Sequence, residues 1–141
     1  MDITKIKLYP GVIDYVVDEF VDYAGKSHMI TVAAVDVRAI IPDFEEGYCG
    51  FVMGVSICNP VDEYVEIIGA NRAAKNAYRG SKTFITGSFK GVLSENLVNT
   101  ALWNEIDFIK NNINLYIRGY NESEKKYNAR IKRDKELIQS I

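Results

Sequence analysis

Residues 12–23 alternate apolar and polar positions with a period close to two. Residues 12–23 carry three aspartates at even positions, while most odd positions hold isoleucine, valine or tyrosine. The period predicts a strand, and the β-branched and aromatic content favours it over a helix with the aspartates on one stripe. A turn at 24–27 leads to a second strand over residues 28–38. Residues 3–9 predict a further short strand, and residues 48–58, apolar on both faces, predict an interior strand.

A well-marked helix start follows the interior strand, in the sequence Gly54-Val55-Ser56-Ile57-Cys58-Asn59-Pro60-Val61-Asp62-Glu63. Asn59 suits the N-cap, and Pro60 suits the first helical position. The charge of Asp62 complements the helix dipole. The pattern predicts a helix over residues 61–79 that ends at Gly80. Its small residues allow close packing on a sheet or on another helix; they are Gly69, Ala70, Ala73, Ala74 and Ala77.

The second half ends in a long helical region. Residues 82–89 predict one more strand, and from Ser94 onward apolar residues recur every three or four positions as a heptad-like seam. The seam consists of Leu102, Ile106, Ile109, Ile113, Tyr116, Tyr120, Tyr127, Ile131 and Ile138. Gly119-Tyr120-Asn121 either divides the region into two helices or interrupts one helix at a cost of about 1 kcal/mol. One small sheet cannot cover so long a seam, so we expect this region to pack against another copy of the chain.

These elements predict a single α+β domain over residues 1–141. A mainly antiparallel sheet with one inserted helix takes residues 1–93, and helices over residues 94–141 complete the domain. A chain of 141 residues that is 48% hydrophobic can form one domain with a substantial core. No apolar run approaches the roughly 20 residues of a membrane span, and the N-terminus lacks the pattern of a secretory signal.

Cysteine usage indicates a reducing compartment. Cys49 and Cys58 lie on one predicted strand, about 30 Å apart along it, so they cannot form a disulfide with each other. Both are expected to be reduced thiols packed in a cytoplasmic protein.

The two halves of the chain differ in charge. The net charge is −2, but residues 1–63 hold 11 acidic and 4 basic residues, whereas residues 64–141 hold 8 acidic and 13 basic ones. Such polarity favours self-association or a local anion site in the second half. The basic half contains too many acids for a strong nucleic-acid groove, so nucleic acid is not an expected partner.

Few residues of this chain suit catalysis. His28 is the only histidine, which excludes histidine-rich metal sites, and its place beside a predicted turn indicates a surface residue. The sequence has no zinc-ligand spacing, no P-loop, no GxGxxG motif and no nucleophile elbow. Paired acids fall in a loop and at a helix start, where acids are common. We therefore expect no catalytic residues, no metal site and no cofactor.

The remaining chemistry lies near the join of the second-half helix, the strand after it and the long helical region. Arginine binds phosphate oxygens through a planar fork, phenylalanine can stack on a base, and nearby glycines allow close backbone approach. These residues predict a pocket for a compact phosphorylated nucleotide, although Phe84 also suits the core and Arg79 also suits its helix end. The candidate ligand-binding residues are Arg72, Arg79, Phe84, Phe89, Asn96 and Arg118.

The block over residues 54–80 resembles a pattern in small proteins of Gram-positive phages and prophages. In that pattern a strand ends in Gly-hydrophobic-Ser/Ala-x-Cys-Asx/Ser-Pro-x-Asp-x-hydrophobic, and a helix with a central glycine and an Ala-Ala stretch follows. Residues 54–64 match it, and Gly69 with Arg72-Ala73-Ala74 continues it. With its sheet-then-helices plan and its length, the chain resembles the phage anti-Thoeris sponge family.

The resemblance implies a non-enzymatic protein in the host bacterial cytoplasm that sequesters a cyclic ADP-ribose-type signal without cleaving it. It implies a homodimer or higher homo-oligomer that encloses the ligand. A second hypothesis is a phage protein that inhibits a host defence enzyme by direct binding, as anti-CRISPR proteins do, with the acidic first half imitating DNA phosphates. A third is weak nucleic-acid binding by the basic residues of the last helix, whose interleaved acids are more typical of a solvated face.

Overall fold

The computed structural model describes residues 5–44, 48–79, 84–90, 93–117 and 120–139, with the backbone alone described at 48 and 84–90. One antiparallel sheet has the order β1-β2-β3-β4. Its strands are β1 (Val12–Val21), β2 (Ser27–Asp36), β3 (Tyr48–Cys58) and β4 (Phe84–Lys90). The interior place of β3 confirms the prediction drawn from its apolar faces.

Helices cover both faces of this sheet. They are α1 (Val37–Ile40), α2 (Glu66–Arg79), α3 (Glu95–Asn111), α4 (Ile113–Tyr116) and α5 (Tyr120–Gln139). The α2 helix packs on one face and α3 on the other, so the sheet is the middle layer. The predicted α+β class, with helices packed on a mainly antiparallel sheet, is confirmed. No helix within the described ranges has the length and apolar character needed to cross a bilayer.

The α3 face holds the larger part of the core. Even-numbered residues of β2 and odd-numbered residues of β3 point to this face, as the pleat of a sheet requires. From α3, the seam residues Leu102, Ile106 and Ile109 are fully buried against them. The partners in the sheet are Ile30, Val32, Ala34, Phe51, Met53 and Val55.

The α2 face is packed with small residues. Ala73, Ala74 and Ala77 are at most 2% exposed and lie against the sheet. A Cβ built on Gly54 of β3 would come within 2.0 Å of the Ala73 carbonyl oxygen. The predicted close packing of this helix is therefore confirmed, and it depends on the absence of a side chain at position 54.

The junction at Asn59 turns the chain but does not start α2. Asn59 Oδ1 accepts a hydrogen bond from the Val61 N–H at 3.2 Å, and the Asn59 carbonyl accepts one from the Asp62 N–H at 2.9 Å. The helix begins at Glu66, so the predicted start at residue 61 is wrong. The error has a simple cause, because an asparagine side chain caps a turn with the same kind of bond that caps a helix.

The strand predicted over residues 3–9 is also wrong for its described part. The Tyr9 N–H donates to Asn71 Oδ1 at 2.8 Å, and Asn71 Nδ2 donates to the Lys7 carbonyl at 2.9 Å. A side chain of α2 thus bonds the backbone groups that a neighbouring strand would have used. The strand predicted over residues 28–38 ends earlier, at Asp36, whose carboxylate accepts from the Arg38 N–H at 2.9 Å and caps α1.

The C-terminal region forms three helices. The chain turns at Asn112 and bends at Ile117, and α5 begins at Tyr120, inside the predicted break. The seam divides accordingly, because its first members are buried on the sheet, whereas α5 buries none of its residues and leaves Ile138 71% exposed. Packing of this region against another copy stays a prediction.

Candidate functional site: a basic groove beside the first hairpin

The turn between β1 and β2 is held by the carboxylate of Asp22. Its Oδ1 accepts hydrogen bonds from the N–H groups of Ala24 and Lys26, both at 2.9 Å. Gly25 has φ of +79°, a conformation that glycine adopts without steric cost. The Asp22 N–H also donates to the Lys26 carbonyl at 2.9 Å. These bonds therefore fix the backbone of the turn that carries the Lys26 side chain.

His28 is buried beside this turn. It is 8% exposed, and its Nε2 lies 2.9 Å from Asp22 Oδ2. The prediction of a surface histidine is wrong, because the residue is the second of β2 and belongs to the set of positions that face α3. Its ring packs against Phe20, with ring centroids 6.0 Å apart.

Asp22 should make the stability of the fold depend on pH. Burial acts to raise the pKa of Asp22, but hydrogen bonds from His28, Lys26 and Ala24 outweigh it and the pKa is lowered. A carboxyl whose pKa is lowered by folding stabilises the protein above its unfolded pKa of about 3.9, and this contribution is lost as pH falls through the folded value. In urea unfolding between pH 5 and pH 2, we expect the gap in free energy of unfolding between wild type and Asp22→Asn to shrink below about pH 4. A gap of constant size down to pH 2 would contradict this assignment.

A row of aromatic rings connects the hairpin to α5. Phe20 packs on Tyr120 at 5.9 Å between ring centroids, Tyr120 on Tyr23 at 5.5 Å, and Tyr23 on Tyr127 at 5.1 Å. The guanidinium carbon of Arg130 then lies 5.3 Å from the centre of the Tyr127 ring. These contacts hold the first turns of α5 beside the hairpin and define the angle between them.

A groove of about 780 Å³ runs between the hairpin and α5, and it is called the basic groove below. Its residues are Tyr23, Ala24, Lys26, Ser123, Lys126, Tyr127, Arg130 and Arg133. Lys126, Arg130 and Arg133 are four and three residues apart, so they line one face of the helix over about 10 Å. Lys26 faces them from the hairpin.

The basic groove concentrates positive charge without acidic partners. None of its four cations forms an ion pair within the described part of the chain. The ion pair described on α5 joins Lys125, which lies outside the groove, to Glu122. Unpaired lysine and arginine beside tyrosine rings can neutralise phosphate oxygens and stack on a base. This arrangement suits an anionic nucleotide better than any other described surface.

The residues predicted from the sequence do not converge on one pocket. Arg72 and Arg79 lie exposed on α2, whereas Asn96 lies in the first turn of α3, on the opposite side of the sheet. Arg72 borders a cavity of only about 20 Å³ next to Tyr64, whose hydroxyl lies 3.2 Å from Thr31 Oγ1. As ligand contacts these residues stay a prediction.

Asn96 borders a second groove, which is less suited to an anion. That groove has a volume of about 430 Å³, and the carboxylates of Asp14 and Glu95 line it together with Asn96 and Asn99. The side chains of Phe84 and Phe89 and all of Arg118 lie outside the described residues. In the backbone, Phe84 pairs with Met53 and Phe89 with Cys49 across β3 and β4.

Asp14, Asp18 and Asp22, three acids of the first hairpin, accept hydrogen bonds within the fold. Asp18 Oδ2 accepts a hydrogen bond from Lys110 Nζ on α3 at 3.1 Å, and Asp22 holds the hairpin turn. Asp14 Oδ1 accepts from the Tyr15 N–H. Carboxylates that are already paired make a weaker imitation of DNA phosphates, so this observation does not favour the second hypothesis drawn from the sequence.

The described side chains contain no group of three or more histidine, cysteine or acidic residues able to hold a metal ion. Cys49 and Cys58 are free thiols, and both are half-buried. The Cys58 Sγ lies near the carbonyls of Asn59 and Asp62, at 3.6 and 3.9 Å, whereas the Nε2 of His28 is bonded to Asp22. No described contact joins this thiol to the imidazole.

Sequence reasoning missed the basic groove because it combines residues about 100 positions apart. The spacing of Lys126, Arg130 and Arg133 was visible, but interleaved acids made it typical of a solvated helix face. Nothing in the sequence placed Tyr23 and Lys26 against that face. Comparison with known proteins adds no assignment: no protein-family description matches the chain, and no curated protein or solved structure matches it.

Proposed function

We propose that this protein is a phage or prophage counter-defence protein that sequesters a cyclic ADP-ribose-type nucleotide in the bacterial cytoplasm and so blocks Thoeris immunity. The observation that supports the proposal is the basic groove, which offers to one ligand two tyrosine rings and four cations that form no ion pair with the residues described. The resemblance of residues 54–80 to small phage proteins gives the ligand class. Sequestration needs binding alone, and the signal is released intact when the protein unfolds.

In this function the groove recognises the negative charge of the ligand. Arg130 and Arg133 neutralise the pyrophosphate through bidentate hydrogen bonds, and Lys26 approaches the same oxygens from the hairpin. The Arg130 guanidinium carbon lies 5.3 Å from the centre of the Tyr127 ring, and this cation–π contact holds the guanidinium in the groove. A second copy of the chain would cover the exposed apolar end of α5, where Leu137 is 59% and Ile138 71% exposed.

The proposal is tested with the purified protein and isomers of cyclic ADP-ribose. A ligand at 100 times its Kd stabilises the folded state by about 2.7 kcal/mol, which for a chain of this size raises Tm by roughly 5–11 °C. Heating the complex should then release the nucleotide unchanged, as measured by mass spectrometry. A cleaved product in the heated sample would assign an enzyme instead.

Two other results would reject sequestration. If no cyclic nucleotide shifts Tm but single-stranded nucleic acid binds with an affinity that falls steeply with salt, the groove serves nucleic acid. If neither binds and a host defence enzyme is inhibited by the pure protein, the protein-blocking hypothesis replaces this one.

A further inference from the structure

A further cleft, of about 300 Å³ and separate from the two grooves above, lies at the same end of the sheet as the basic groove. It opens where β2 starts, where β3 ends and where α4 passes beside them. Ile57, Pro60 and Ile117 give it apolar walls, Tyr116 adds an aromatic ring, and His28 contributes a polar edge. Asn59 and the Cys58 thiol also line it, so the cleft combines apolar walls with a few polar groups, as small-molecule sites do.

The polar edge has a defined hydrogen-bonding character. Asp22 Oδ2 accepts from His28 Nε2 at 2.9 Å, because a carboxylate that also accepts two backbone N–H bonds is held in its charged form. In the neutral imidazole this bond places the proton on Nε2 and leaves a lone pair on Nδ1. Nδ1 has no hydrogen-bond partner within the described part of the chain. The His28 side chain, which is 8% exposed, thus borders this cleft.

We propose that this cleft binds the adenine ring of the ligand, with the exocyclic amine of the base donating a hydrogen bond to His28 Nδ1. The inference rests on the proposed function for the ligand class, and it adds a base site to the phosphate site. A flat purine buries both faces between the apolar walls, and its amine supplies the donor that Nδ1 lacks. Hypoxanthine has a carbonyl at that position, so its oxygen lone pair would face the Nδ1 lone pair and no hydrogen bond would form.

The two sites are close enough for one nucleotide. Lys26 and His28 are two residues apart on the same segment, so their Cα atoms are separated by at most about 7 Å. The Asp22 carboxylate bonds the backbone of the first and the ring of the second. A base in the cleft therefore places the attached phosphates beside the hairpin end of the basic groove.

The two cysteines of the chain provide a reporter of binding in the cleft and a control thiol. Cys58 borders the cleft and Cys49 lies at the other end of β3, and both are half-buried free thiols. We expect saturating adenosine to slow alkylation of Cys58 at least fivefold and to leave Cys49 unchanged, as read by mass spectrometry of the labelled peptides. Inosine, which has the same size, should protect Cys58 much less. Equal protection by the two nucleosides, or no protection by adenosine, would overturn the base assignment.

A variant separates the acceptor from the packing. His28→Phe keeps a ring against Phe20 but removes Nδ1, so adenosine protection of Cys58 should be lost while Tm shows whether the fold persists. The wild-type comparison of adenosine with inosine decides the inference even if this variant does not fold.

The base site and the proposed function can fail independently. If cyclic ADP-ribose isomers shift Tm but adenosine does not protect Cys58, the base site is wrong and the sequestration proposal stands. If adenosine protects Cys58 and no cyclic nucleotide binds, the base site stands and the sequestration proposal is wrong. Arg130→Ala should weaken binding of the cyclic nucleotide and leave adenosine protection unchanged.

Discussion

Replacing Gly54 with alanine is expected to lower the free energy of unfolding by about 3 kcal/mol or more. The added Cβ would lie 2.0 Å from the Ala73 carbonyl oxygen and 2.5 Å from the Ala77 backbone nitrogen. Both are backbone atoms of α2, so the clash cannot be relieved by turning a side chain. The helix must move off the sheet, which loosens the contacts of its buried alanines, and such overpacking is among the costliest changes in a core. Urea unfolding followed by far-UV circular dichroism measures the loss.

Gly25 provides a matched control, because an added Cβ there would be unfavourable through backbone conformation and not through a clash. A Cβ there meets no atom within 4 Å, but φ is +79°. Gly25→Ala should therefore cost only about 1 kcal/mol, from backbone strain in the turn. If Gly54→Ala and Gly25→Ala proved equally mild, the close approach of α2 to β3 would be wrong.

Removing two guanidinium groups from the basic groove should weaken binding of a cyclic ADP-ribose-type ligand about 100-fold or more. Arg130 and Arg133 line the groove without carboxylate partners in the described structure. Each charge-assisted hydrogen bond to a phosphate contributes about 1.5–3 kcal/mol when the rest of the site is in place. Isothermal titration calorimetry of Arg130→Ala/Arg133→Ala against wild type measures the change.

The same helix supplies the control for this experiment. Lys132 and Lys135 carry the same charge but do not line the groove. Lys132→Ala/Lys135→Ala removes two charges from α5 as well, so it tests the general electrostatic effect, and its affinity should stay within about threefold of wild type. Equal losses in both double variants would show that net charge, not the groove, governs binding.

The sequence predicted the sheet well because each strand carries its own signal. The period of two in β1 and the apolar faces of β3 depend on neighbours along the chain, and a pleated strand with a buried face imposes them. The small residues of α2 likewise predicted its close packing. Local signals were less reliable at boundaries, since the Asn59 side chain forms a turn with the bond expected of a helix cap.

The site was harder to predict because its parts are joined only by tertiary packing. Asp22 was interpreted as one acid of an alternating strand, but it organises a turn and bonds the buried His28. Tyr23 and Tyr127 show no relation in the sequence, yet their rings lie 5.1 Å apart. The charge spacing on α5 was visible in the sequence and corresponds to one wall of the groove. The position of the hairpin against that wall is known only from the folded structure.

The row of aromatic rings that packs α5 against the hairpin also determines how the groove opens. One wall is the turn between β1 and β2, whereas the other is a helix that buries no residue and is held by aromatic contacts at its first turns. Subglobal opening of α5 therefore breaks few contacts and leaves the four-stranded sheet folded. A ligand that bridges the walls opposes this opening directly, so its binding free energy includes the ordering of the helix. Affinity in such a site is limited by how firmly three tyrosines hold one helix.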